Sequence, residues 1–202
     1  MILSNVAILE ALATGRLKIE PRPEPERPNE DSDRDGHCPY QTSSVDLRLG
    51  DEVSFFRTGL PISIDLSRPE CKFADLFGSN SQTLRLTKQQ PFAITPGQLV
   101  LARTLERVSL PIISDGRSCL AARVEGKSSY ARCGLLVHFT APTIHAGFSG
   151  TITLELINLG PLPVLLYPET PICQLILEEV CGVPFRNDSQ FQNQQRASGQ
   201  SS

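Results

Sequence analysis

Apolar and polar residues alternate in short runs along most of this chain, and Gly or Pro cuts nearly every run. Val45, Leu47 and Leu49 alternate with Asp46 and Arg48, which predicts a half-buried strand ended by Gly50. The same pattern predicts strands at residues 52–57, 62–66, 83–86, 92–94, 99–105, 118–123, 135–139, 151–157, 163–166 and 172–177. Thr95-Pro96-Gly97 and Leu159-Gly160-Pro161 are typical of the turn signals between them. Helical spacing is confined to the start: Ser4 is suited to cap a helix, Val6, Leu9, Leu12 and Ala13 share a face, and Gly15 stops it. One short helix followed by many short strands predicts a mostly β sandwich or barrel rather than alternating α/β.

Two stretches fall outside this pattern. Residues 21–43 combine proline, charge and few apolar side chains, which predicts an extended surface loop. Glu30, Asp31, Asp33 and Asp35 within it superficially suggest a calcium loop, but the closing glutamate and flanking helices are missing, so they read as solvated charge. Residues 187–202 are rich in Gln, Ser and Asn and are expected to form a flexible segment. A single domain over residues 1–186 is the resulting expectation.

Composition narrows the function more than the fold. A net charge of −3 in 202 residues argues against a nucleic-acid surface, which needs clustered cations. No apolar run is long enough for a membrane span and no basic-then-apolar leader is present, so a cytoplasmic protein is expected. The six cysteines lack CxxC spacing, and Cys119, Cys133 and Cys173 lie in strand-like context, so buried thiols are expected.

The chemistry concentrates between Ala122 and Glu155. Glu155 is an acid within the run Leu154 to Ile157, a costly placement unless it is used or paired, for instance with Arg132. Lys127, Ser128, Ser129 and Arg132 supply hydroxyls, cations and turn amides of the kind that hold phosphate oxygens; a solvated polar turn is the plainer alternative. His37, His138 and His145 have no Glu two residues on and no PCxxC follows, which argues against a zinc nucleobase deaminase. P-loop, dinucleotide and hydrolase-elbow motifs are absent.

A series of motifs runs through the chain in order: Ser44-Val45-Asp46-Leu47-Arg48-Leu49-Gly50, Pro96-Gly97, the run from Lys127 to Leu135, Val137-His138-Phe139-Thr140-Ala141, Gly147-Phe148-Ser149-Gly150, Leu154-Glu155, Tyr167-Pro168, the run from Pro171 to Leu175, and Gln192-Asn193-Gln194-Gln195. With these markers the chain resembles the dCTP deaminase branch of the dUTPase-like superfamily. The resemblance implies a distorted, jelly-roll-like β-barrel, a homotrimer with active sites at subunit interfaces, and hydrolysis of dCTP to dUTP and ammonia. It implies that Glu155 is the general base, with a pKa that burial would draw toward neutrality. It further implies that Ser128 and the carbonyl of Ala141 orient the water, that Ser129 and Arg132 contact phosphate, and that Gln194 belongs to a closing lid. Lys127, Thr143, His145, Gln174 and Gln190 complete the implied binding set. Magnesium would ride on the triphosphate, with no metal held by protein side chains and no zinc.

Departures from the family pattern bear on the substrate. Lys127 and Thr143 stand where arginines are usual, Gln190 near an expected lysine, and His145 where an aspartate meets the sugar hydroxyl. The last of these weakens a dUTPase or bifunctional reading. They leave two alternatives: a nucleotide-binding regulator with impaired catalysis, and a dUTP or dCTP pyrophosphatase. His138 reads as a satisfied core histidine, and Asp46 with Arg48 as a structural pair or an interface contact.

Overall fold

A computed structural model describes residues 1–28, 38–57, 59, 63–65, 73–113, 117–185 and 195–197. In chain order the elements are α1 (Asn5–Ala13), β1 (Lys18–Glu20), β2 (Tyr40–Gln41), β3 (Ser44–Phe56), α2 (Phe73–Asn80), β4 (Ser81–Arg85), β5 (Phe92–Ile94) and β6 (Leu99–Ser109). They continue with β7 (Leu120–Gly126), α3 (Ser128–Ala131), β8 (Leu135–Val137), β9 (Thr143–Ile144), β10 (Ser149–Asn158), β11 (Val164–Leu166) and β12 (Pro171–Glu179). The fold is mostly β, as the alternation predicts. The helix begins where its cap demands, with the Ser4 hydroxyl accepting the Ala7 amide.

One antiparallel sheet runs in the order β8-β10-β6-β3-β12-β7-β9, with β1 on β6, and β2 and β4 on β3; β5 and β11 form a separate ribbon. The sheet turns because β3 serves two neighbourhoods. Its first half pairs with β12 and its second half with β4 and β6.

Gly50 therefore lies inside a strand rather than at its end, which corrects the expectation of two strands there. A register shift falls between Leu49 and Val53, and a Cβ on Gly50 would come within 3.1 Å of the Arg103 carbonyl. Glycine here permits close approach of backbones instead of stopping the strand.

The core is the inner face of this curled sheet, with Leu47, Leu49, Val53, Leu154, Leu156, Ile172 and Leu175 essentially without solvent contact. Each such side chain contributes about 1.5–3 kcal/mol on burial. Helix α1 closes one side through Ile8 and Ala11.

Other expectations need adjustment. Elements α2, α3, β1, β2 and β9 are too short or too weakly patterned to announce themselves. Ser63 to Asp65 are not in a strand, and the rest of the predicted strand at 62–66 lies outside the described residues. The predicted loop at 21–43 is anchored at both ends: β2 pairs with β3, and the buried Tyr40 hydroxyl donates to the Pro23 carbonyl. Its acidic cluster from Glu30 to Asp35, with His37, lies outside the described residues. Cys119 and Cys173 are buried as expected; Cys133 is exposed, because it follows α3 instead of joining a strand. Among the described residues no helix is long and apolar enough to cross a membrane.

Candidate active site

Glu155 sits in the middle of β10. Because side chains alternate across a strand, it faces away from Leu154 and Leu156 and is not immersed among them. Its side chain keeps 30% of its exposure, and Oε2 lies 2.6 Å from Nδ1 of His138. The partner is thus His138, not the Arg132 considered from sequence.

The close approach has a backbone origin. Val137 pairs with Leu156 across β8 and β10, and the next residue, His138, turns into the left-handed region with φ 53° while its amide still donates to the Glu155 carbonyl at 2.8 Å. Histidine tolerates that region better than a β-branched residue would. His138 is buried, yet neither ring nitrogen completes a hydrogen bond, nor does Glu155 Oε2. A satisfied core histidine is therefore the wrong description, and buried polar atoms in this condition are uncommon outside sites that use them. His138 is the residue sequence reading missed; the apolar run around it masks the signal, which only the strand pairing supplies.

A second cluster lies at the end of β7. Lys127 caps the one-turn helix α3, whose bonds run from the Tyr130 and Ala131 amides to the Lys127 carbonyl. Lys127 Nζ donates to Asp46 Oδ2 at 2.6 Å, and Gln174 Nε2 donates to Asp46 Oδ1 at 3.2 Å. Asp46 retains only 2% of its side-chain exposure and Lys127 17%. Burial raises the Tyr130 hydroxyl above its ordinary range, and the negative charge of Asp46 adds to the effect. Burial also pushes the Cys173 thiol far up, with the charges of Glu106 and Asp46 adding to it.

Asp46 and Arg48 are not paired with each other. Arg48 bonds the fully buried Glu106 through Nε at 2.7 Å and through its backbone amide at 2.8 Å. The correction follows from the path of β3: Asp46 lies opposite Gln174 on β12, and Arg48 stands one residue before β3 begins to pair with β6, the strand that carries Glu106.

Ser128, Ser129 and Arg132 are exposed, and among the described residues no ion pair engages Arg132. The two clusters approach through the residues before them, since a Cβ on Gly126 would lie 3.5 Å from Val137 Cβ. Ala141, Thr143 and His145 are also exposed and run back along β7: the Val124 amide donates to the Pro142 carbonyl, and Thr143 pairs with Arg123. Continuing that register sets His145 opposite Ala121, roughly 20 Å along the strand from Lys127 at about 3.3 Å per residue. One chain thus separates His145 from the serine turn. Gln190 and Gln194 lie outside the described residues. Among the described residues no group of three or more His, Cys, Asp or Glu side chains is placed to hold a metal ion.

A family model described as dCTP deaminase-like matches residues 2–180. A curated relative from Methanothermobacter thermautotrophicus, named "dCTP deaminase, dUMP-forming", is 39% identical over 177 residues, covering 88% of this chain and 78% of its own. One of the same name from Methanosphaera stadtmanae is 36% identical over 182 residues, with the same coverages. Among solved structures, the 2'-deoxycytidine 5'-triphosphate deaminase of Agrobacterium tumefaciens matches with a TM-score of 0.59 at 21% identity. That match covers 87% of this chain and 47% of the other, and at this identity it bears on the fold alone.

Proposed function

The chain belongs to the dCTP deaminase-like family, and on that premise we propose that it deaminates dCTP to dUTP and ammonia. The observation that carries the reading is Glu155, a half-buried carboxylate 2.6 Å from His138 whose Oε2 completes no hydrogen bond. Such an acceptor is suited to take a proton from water as its oxygen bonds to C4 of the cytosine ring. Glu155 returns that proton to the amine, the C4–N bond breaks and ammonia leaves, and the water's other proton passes from the C4 hydroxyl to N3 as the carbonyl forms.

Ser128 and the Ala141 carbonyl would orient the water, and Ser129 and Arg132 would take phosphate oxygens. Magnesium would arrive on the triphosphate as part of the substrate, and the reaction would need no zinc. The span between His145 and the serine turn supports a site assembled from neighbouring subunits of a homotrimer, and Gln190 and Gln194 would join it from the C-terminal segment.

The decisive experiment incubates dCTP with the protein in chelator and with added magnesium, and measures ammonia. Glu155→Gln should abolish release while nucleotide still binds; full activity of that variant would sink the assignment. A second reading is favoured by the relatives' names, which say dUMP-forming. It adds cleavage of the triphosphate to deamination. His145, at the family's aspartate position, supports stopping at dUTP, and pyrophosphate appearing with the ammonia would decide for the second reading.

A further inference from the structure

Near its C-terminus the chain returns to the sheet. β12 leaves beside the start of β3, where Leu175 pairs with Val45. Ala197 nevertheless lies at the second half of β3: its amide donates to Glu52 Oε1 at 2.9 Å across 145 positions of sequence, and the residue is fully buried. Gln195 and Arg196 before it are exposed. Arg85, directly opposite Glu52 on β4, bonds Asp51 instead, as does Arg103, which leaves Glu52 Oε1 to the amide. A buried amide needs an acceptor, and a carboxylate is a strong one.

Strand register fixes where this contact sits. Ser54 pairs with Leu101 and Leu101 with Glu155, so the three side chains share one face of the sheet. Glu52 is two residues from Ser54 within the regular pairing of β3 with β4, and joins that face. Two strand spacings across and two residues along put Glu52 about 12 Å from Glu155. Ala197 is thus held on the face that carries the candidate base, by the same chain.

We propose that Glu52 is a positioning residue for a C-terminal strap, which it ties by the Ala197 amide on the face of Glu155 before nucleotide arrives. The proposal rests on the deaminase reading in taking that face as the nucleotide site. A terminal segment ordered only by ligand loses conformational entropy when it closes. One already tied at Ala197 has part of that cost removed, so the latch raises affinity for the nucleotide. Removing the charge of Glu52 would by itself favour an anionic ligand, so weaker binding without it is the latch's own signature.

The test has two readouts. Trypsin cleavage after Arg196, followed by mass spectrometry as release of residues 197–202, reports the latch without nucleotide; dCTP dissociation constants, with kcat and KM for ammonia release, report its effect. The proteins are wild type, Glu52→Ala, Glu52→Gln, Ala197→Pro and the Glu52→Ala/Ala197→Pro double variant, with melting curves to verify folding. Glu52→Ala should be cleaved roughly tenfold faster and bind dCTP roughly tenfold more weakly, with KM changed more than kcat. Glu52→Gln keeps an acceptor and should restore most of both. Ala197→Pro lacks the donor and should match the affinity loss, and the double variant should bind no more weakly than the weaker single. Unchanged cleavage in Glu52→Ala would overturn the proposal. So would dCTP binding in Glu52→Ala as tight as wild type or tighter, the mark of a segment parked in the way of the site. If Glu52→Ala fails to fold, the affinity of Ala197→Pro decides the same question. A wild-type protein that binds dCTP but releases no ammonia sinks the deaminase reading and leaves cleavage and affinity to decide the strap; one that binds no dCTP overturns both.

Discussion

His138 Nδ1 and Glu155 Oε2 lie 2.6 Å apart, on residues whose backbones are joined by a 2.8 Å hydrogen bond from the His138 amide to the Glu155 carbonyl. The backbone bond and the left-handed turn at His138 aim the imidazole at the carboxylate, so the acid is held from the side as well as from its own strand. If Glu155 is the base, His138→Ala should lower kcat for ammonia release by roughly 10- to 100-fold with a smaller change in KM. Steady-state kinetics at saturating dCTP would check this, and an unchanged kcat would separate His138 from the chemistry.

Gly134 and Gly160 meet backbone on backbone. Gly134 has φ 89°, and a Cβ there would stand 2.2 Å from the Gly160 nitrogen; one on Gly160 would stand 2.1 Å from the Cys133 carbonyl oxygen. Neither clash can be relieved by a side-chain rotation. Gly134→Ala is expected to destabilise by more than about 3 kcal/mol, read as a fall in urea midpoint or as loss of soluble protein.

Asn158 secures the loop that makes this approach possible. It is fully buried, donates Nδ2 to the carbonyls of Ile94 and Leu162 at 2.9 and 2.8 Å, and accepts the Gly160 amide at 2.9 Å. Asn158→Leu keeps the volume and leaves those groups unpaired, so a loss of about 3 kcal/mol is expected in denaturant unfolding.

Asp51 supplies a pH signature. Burial alone would raise its carboxyl, but the Arg85 hydrogen bond and the charges of Arg103 and Arg85 outweigh burial and hold it below the ordinary carboxylate range. A carboxyl lowered in the folded state stabilises above its unfolded pKa, and that contribution is lost as pH falls through the lower folded value. Asp51→Asn should therefore melt about 2–4 °C below wild type at pH 7, equivalent to roughly 1 kcal/mol, with the gap closing in acid. A gap that persists or widens at low pH would refute this account.

Much of the fold was legible in local pattern. Alternation at Val45, Leu47 and Leu49 and along β10 and β12 announced strands, Ser4 announced the helix start, and the family markers pointed to the turn at Ser128 and to Glu155. The choice of acid was readable because a charge in an apolar run is locally conspicuous. Its orientation toward or away from the core was also implicit in the strand period, though the apolar neighbours obscured it.

Tertiary structure alone decided which partner each polar group takes. Lys127 meets Asp46, His138 meets Glu155, Arg48 meets Glu106 and Gly134 meets Gly160 because β3, β7, β8, β10 and β12 come into register across long sequence separations. Hydrophobic period and turn chemistry restrain the backbone within a few residues of themselves. Sheet closure and the passage of β3 through Gly50 depend on contacts between distant segments, and no local window contains them.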